Sequence, residues 1–182
     1  MRKAIILAAL ALLAVPGSAS AGDTAWGIAA FGGPSFPIGQ DDNNGSGVTY
    51  GVRFPAHFGF FLSVEPHFDW TNGGETEETF NGLPYSREGI DVKQAGMNFI
   101  LGNPTNPGFR FYPYVGIGHY SLKGEGREDL QKIGYNGGLG IGFGSKLKLD
   151  VRGDYTMIDI GLSSRKAISA TAAIGLTINS ND

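Results

Sequence analysis

Three groups of residues in this 182-residue chain have the types and spacing for chemistry. His119 and Ser121 stand two apart, so on a strand both side chains share one face and a base lies beside a hydroxyl nucleophile. Asp42-Asn43-Asn44-Gly45-Ser46-Gly47 opens like a calcium loop, but its twelfth position is Arg53 where a bidentate carboxylate is required. It reads as a polar loop tip, and no metal is expected. The third group carries charges of both signs: Arg53, Glu65, His67, Asp69, Lys148, Asp150, Arg152 and Asp154. The absence of cysteine excludes thiol nucleophiles, Cys-ligated metals and disulfide scaffolds. No spacing selects Glu125 or Glu128 as an acid orienting His119. The expectation is a non-enzymatic protein with no catalytic residue and no cofactor.

What positions these residues is strand, not helix. No window keeps a helical apolar period beyond a turn or two, and the recurring pattern is alternation, the mark of strands with unlike faces. Leu147, Leu149, Val151, Gly153, Tyr155 and Met157 alternate with Lys148, Asp150, Arg152, Asp154 and Thr156. Phe60, Leu62, Val64, Phe68 and Trp70 alternate with Ser63, Glu65, His67, Asp69 and Thr71. The same rule predicts strands over 25–35, 47–54, 89–101, 109–122, 133–144 and 167–178, making eight. One face of 133–144 holds Ile133, Tyr135, Leu139, Ile141 and Phe143, while the other is almost entirely glycine. A small closed barrel explains this by setting small interior residues against large ones. Pro66 and Pro113 fall inside strands, where bulges are expected, and the apolar phase of residues 91–101 switches near Gln94, which points to a bulge there or to a misplaced strand boundary.

The links alternate in length. Residues 55–57, 102–108 and 145–146 are short; 38–46, 72–88, 123–132 and 159–166 are long and polar. This is the rhythm of an all-β, eight-stranded antiparallel up-and-down transmembrane β-barrel with short periplasmic turns and long extracellular loops. Charges of both signs close together survive away from water only when paired and hydrogen-bonded, so the eight charged residues are assigned to the interior as a side-chain plug. Trp26, Tyr50, Phe58, Phe60, Phe68, Trp70, Phe109, Phe111 and Tyr155 fall near strand ends on the other face, as interfacial girdles do. Eight strands leave room only for side chains, so an open pore is not expected.

Met1-Arg2-Lys3, an apolar run over 4–15 and Ala19-Ser20-Ala21 make residues 1–21 a signal peptide cut before Gly22, leaving one domain over 22–182. The mature chain then carries 12 basic and 17 acidic residues, net −5, with no basic stripe, which argues against a nucleic-acid partner. A mean hydropathy of −0.07 argues against a polytopic helical membrane protein.

Pro113-Tyr114-Val115-Gly116-Ile117-Gly118, Gly134-Tyr135-Asn136-Gly137-Gly138-Leu139-Gly140 and Leu147-Lys148-Leu149-Asp150-Val151-Arg152, in that order and spacing, resemble the bacterial outer-membrane β-barrel domain family of OmpA- and OmpX-like barrels. The resemblance covers residues 22–178. It implies residence in the bacterial outer membrane, contact with outer-membrane lipid and lipopolysaccharide, and delivery by the outer-membrane assembly machinery. It also implies a monomer with a structural or surface-interaction role through its loops. The chain ends Ile178-Asn179-Ser180-Asn181-Asp182, whereas members of that family often close the last strand on an aromatic residue. His119-x-Ser121 also resembles the His-x-Ser of the lipid A 3-O-deacylase family, with Leu122-Lys123-Gly124-Glu125-Gly126 replacing that family's Asn-rich stretch. A lipid A-modifying enzyme is therefore one alternative, and a soluble periplasmic lipid- or ligand-binding barrel another.

Overall fold

The computed structural model describes residues 24–39, 45–58, 61–87, 89–124, 129–161 and 163–179. The expected signal peptide, Asp42, Phe60, Glu125 and Glu128 lie outside the described residues. The strands are β1 (Thr24–Ile38), β2 (Gly45–Arg53), β3 (Ala56–Phe58), β4 (Leu62–Gly74), β5 (Thr76–Phe80), β6 (Leu83–Arg87), β7 (Asp91–Leu101), β8 (Arg110–Lys123), β9 (Leu130–Gly144), β10 (Leu147–Asp159) and β11 (Ser164–Asn179). All but β5 and β6 form one antiparallel sheet, closed by pairing of β11 with β1. Short links lie at one end of this barrel and long ones at the other.

β2 and β3 are one wall strand. Arg53 pairs with His67 and Ala56 with Val64, while on the other side Ala29 pairs with Arg53 and Trp26 with Ala56, so register is unbroken across the gap. The gap reflects Pro55, which has no N–H to donate; its carbonyl still accepts from Gly27 N at 2.8 Å, and Phe54 N donates to Pro66 O at 2.9 Å. The short link expected at 55–57 is therefore strand, and the turn lies beyond Phe58. With this join, the wall has eight strands.

The bulges expected at Pro66, Gln94 and Pro113 are absent. The β4–β7 ladder runs unshifted from Leu62↔Leu101 to Thr71↔Val92, and the β7–β8 ladder from Asp91↔Lys123 to Ile100↔Tyr114. The β8–β9 ladder is equally regular through Pro113↔Leu139. The phase switch in β7 arises because the interior is apolar near both ends. Val92 points in to pack on the cluster of Tyr120, Leu122 and Ile158, and Ile100 packs inside with Tyr112 and Tyr114.

Burial inverts the pattern of a soluble protein. On β10, Leu149 and Val151 are each 57 % exposed, whereas Lys148 and Arg152 are 8 % and 4 % exposed. Trp26, Tyr50, Phe58, Phe68, Trp70, Phe109, Phe111 and Tyr155 are likewise exposed on the outer face. A continuous apolar belt of this extent suits hydrocarbon, not water. The soluble-barrel alternative needs its apolar side chains inside and does not fit.

Inside, bulk on one strand meets space on the next. Arg110, Tyr112 and Tyr114 of β8 stand opposite Gly142, Gly140 and Gly138 of β9. A Cβ at Gly140 would overlap the Tyr112 ring, and one at Gly142 would stand 2.6 Å from the Arg110 guanidinium. The glycine face of β9 is the room that β8 fills.

Part of the long link at 72–88 is structured: β5 and β6 form a separate hairpin. Phe80 pairs with Leu83 around Asn81-Gly82, whose φ values of 53° and 81° are both positive, as a type I′ turn requires.

Candidate functional site: the barrel interior

Alternation on β2, β4 and β10 turns Arg53, Glu65, His67, Asp69, Lys148, Asp150, Arg152 and Asp154 inward, and closure of the wall brings most of them together. The centre is a two-pronged ion pair: Arg152 Nη1 and Nη2 donate to Glu65 Oε1 and Oε2 at 2.6 and 2.7 Å. The planar guanidinium fork matches a carboxylate edge, which a lysine ammonium does not. Arg152 Nε donates to Asp150 Oδ1 at 2.9 Å and lies 3.0 Å from the Tyr112 hydroxyl. Its guanidinium carbon sits 5.1 and 5.0 Å from the Tyr112 and Tyr114 ring centroids. Arg53 approaches Asp150 at 3.4 Å, donates to Thr171 Oγ1 at 2.7 Å and lies 3.9 Å over the Phe31 ring. Tyr112 and Tyr114 donate their hydroxyls to Asp150 and Asp154.

Asparagines extend the network: Asn98 Nδ2 donates to Glu65 Oε1 at 3.0 Å, and Asn136 Nδ2 to Asn98 Oδ1 at 2.8 Å. Gln94 donates to His67 Nε2 at 2.8 Å, so His67 keeps its proton on Nδ1, 3.5 Å from Glu65 O. Asp69 Oδ1 is 3.6 Å from His67 Nε2, too far for a hydrogen bond. Lys148 stands apart from these pairs, donating to Pro104 O at 3.3 Å.

That last contact belongs to a stopper at the short-link end. Residues 102–109 fold so that Pro104 and Thr105 are buried. Arg110 Nη1 donates to the carbonyls of Asn106, Gly108 and Gly144 at 2.6, 3.0 and 3.2 Å, and Asn103 Oδ1 accepts from Thr105 N at 2.8 Å. Ser63 Oγ donates to Gly102 O at 2.7 Å and therefore accepts from His57 Nδ1–H at 2.9 Å. This Ser–His pair is fully buried, and its hydroxyl proton is committed to a carbonyl, so it fastens the stopper and activates no nucleophile.

Two cavities flank the ion-pair layer, and Arg53 lines both. The larger, about 90 Å³, lies toward the long-link end and is lined by Asp69, Thr71, Tyr120, Asn136, Asp154 and Arg165 among others. The smaller, about 40 Å³, lies between the layer and the stopper, against Glu65, Arg110, Lys148, Asp150 and Arg152. Asp69 Oδ1, Asn136 Oδ1 and the Tyr120 hydroxyl have no hydrogen-bond partner among the described residues and line the larger cavity, whose volume admits several waters at roughly 10–15 Å³ each. Among the described residues no group of three His, Asp or Glu side chains could hold a metal.

His119 and Ser121 share the outer face with Val115 and Ile117, away from the charged interior, and no hydrogen bond joins them.

Compared with known proteins, residues 5–179 match the model of the outer membrane protein beta-barrel domain. The chain belongs to the outer-membrane β-barrel family. Among solved structures, the barrel is similar to Neisserial surface protein A, with TM-score 0.59 and 13 % identity over 86 % of this chain and 97 % of that one. It is also similar to the N-terminal β-barrel domain of Pseudomonas aeruginosa OprF, with TM-score 0.54 and 14 % identity over 85 % and 97 %. At such identities the likeness speaks to the fold. A comparison with curated protein sequences gives no match.

The sequence singled out the charged positions and missed their partners. Tyr112 and Tyr114 alternate with outward Phe111, Pro113 and Val115, a signal masked because aromatic rings occupy both series and only Arg110 at the strand's start is charged. His57 is hidden because residues 55–57 read as a turn, although its partner Ser63 already stands on the polar face of its strand.

Proposed function

We propose that this outer-membrane barrel is non-enzymatic, that its interior is closed by side chains, and that it acts through its long-link end as a structural or surface-interaction protein. The supporting observation is the layer of Glu65, Asp150, Arg152 and Arg53 between two small cavities, backed by the buried stopper. A barrel that joined the two sides of the membrane would not place a two-pronged ion pair across its axis. Under this reading residues 1–21 direct export and are removed, the assembly machinery inserts residues 22–182 as a monomer, and the β5–β6 hairpin faces outward among lipopolysaccharide.

The test combines two measurements on purified protein. Unboiled samples in SDS should migrate apart from boiled ones, and vesicles containing the folded barrel should retain a small sugar as well as empty vesicles do. Rapid sugar release from vesicles holding the heat-modifiable form refutes the closed interior.

A further inference from the structure

We infer that the smaller cavity, between the ion-pair layer and the stopper, is a binding site for one chloride-sized anion, held by Lys148 and Arg110. The site is independent of any role of the long-link end. Its room comes from small residues. Ala29, Ala173 and Gly175 line the cavity, and register gathers them: Ala29 stands opposite Gly175, Lys148 opposite Gly175, and Asp150 opposite Ala173. The short side chains of β1 and β11 therefore leave space in front of the long cationic ones of β8 and β10. At about 40 Å³, with roughly 10–15 Å³ per water, that space admits a halide ion with one or two waters, not a phosphorylated metabolite.

Charge selects the sign of the occupant. Four cations, Arg53, Arg110, Lys148 and Arg152, line the cavity with two carboxylates, Glu65 and Asp150. Both carboxylates are already matched: Arg152 holds Glu65 by two hydrogen bonds and reaches Asp150 at 2.9 Å, and Arg53 approaches Asp150 at 3.4 Å. Lys148 and Arg110, only 8 % and 7 % exposed, form no ion pair among the described residues. Arg110 directs Nη1 to three carbonyls, but its buried Nε has no hydrogen-bond partner among the described residues. Lys148 uses one of its three ammonium donors, on Pro104 O at 3.3 Å. A guanidinium does not shed its proton, and a buried charge without a counterion is strongly destabilising. Water would meet the idle donors but not the charge; one anion meets both. It would also tie the layer to the stopper, because Lys148 and Arg110 already hold the carbonyls of Pro104, Asn106 and Gly108.

Wild type and Lys148→Met, folded in lipid vesicles, are unfolded in urea while sodium gluconate is exchanged for sodium chloride at constant ionic strength, with the folded fraction read from unboiled gel migration. At the wild-type midpoint the folded-to-unfolded ratio should rise about tenfold along a saturable curve, as it does when a ligand exceeds its dissociation constant about tenfold. Lys148→Met keeps an apolar stem and removes the ammonium, so the rise should shrink to about twofold or less. If the methionine variant does not fold, Lys148→Gln replaces it. Crystals of wild type grown in sodium bromide should show one anomalous peak within hydrogen-bond reach of Lys148 Nζ. Equal ratios in gluconate and chloride, an undiminished rise in the variant, or a cavity without a bromide peak overturns the site. An equal rise in sodium sulfate at matched ionic strength would mark general screening and overturns it as well.

Discussion

Arg152→Met should be among the most damaging substitutions in the interior. Glu65 is wholly buried, and Arg152 gives it two hydrogen bonds at 2.6 and 2.7 Å; without them Asn98, at 3.0 Å, is its remaining side-chain donor. A buried carboxylate stripped of its cation costs about 3–5 kcal/mol. Asp150 loses less, because Tyr112 still donates to it and Arg53 remains 3.4 Å away. Removing both charges as Glu65→Leu/Arg152→Met eliminates the stranded carboxylate, since exchanging a whole buried pair for apolar residues is often about neutral. What persists is the weakened Asp150 cluster, roughly 1–3 kcal/mol. The two substitutions should therefore couple by about 3 kcal/mol, at the upper end for residues in direct contact. Urea unfolding in lipid vesicles, with the folded fraction read from unboiled gel migration, measures all four corners of the cycle. If Arg152→Met lies within about 0.5 kcal/mol of wild type, or the double variant costs the sum of the singles, the ion pair does not organise the interior.

Four further outcomes are expected. Val151→Arg should cost about 2–4 kcal/mol in the same assay, because the residue faces hydrocarbon; a cost near zero would mean that this wall meets water. Gly140→Ala should cost about 1–3 kcal/mol by driving its methyl into the Tyr112 ring, whereas tolerance would show that the ring has room to move. Gly82→Val, at φ 81°, should open the β5–β6 hairpin to protease while leaving the urea midpoint of the barrel unchanged, and a shifted midpoint would tie the hairpin to the wall. Ser121→Ala should leave lipid A acyl composition unaltered in cells; loss of an acyl-release product would revive the enzyme alternative.

The wall was legible because lipid outside and polar packing inside impose a period of two on every strand, as Leu147 to Tyr155 display. The glycine face of β9 was legible as interior space, but not its partners, because only register sets Gly140 against Tyr112. Alternation located all eight charged positions on the inward face and could not tell that Arg152 meets Glu65 from 87 residues away while Lys148 turns to a carbonyl. At Pro66, as at Pro55, no bulge is needed because the wall tolerates the missing donor while the proline's own carbonyl stays bonded across the ladder. Asn81-Gly82 was a readable hairpin signal hidden in an acidic stretch assigned to loop.

The seam between β1 and β11 joins residues 154 positions apart at Ala25 and Asn179 and 128 apart at Ile38 and Lys166. Contacts so distant along the chain are slow to form, because loop closure must precede any reward from pairing. Until β11 arrives, β1 and β10 each expose a full row of unmet N–H and C=O groups, which hydrocarbon punishes severely. Completion of the wall is thus all-or-nothing with respect to its last strand. Clipping or misfolding within residues 164–179 should not yield a smaller barrel, only an open ribbon exposed to degradation.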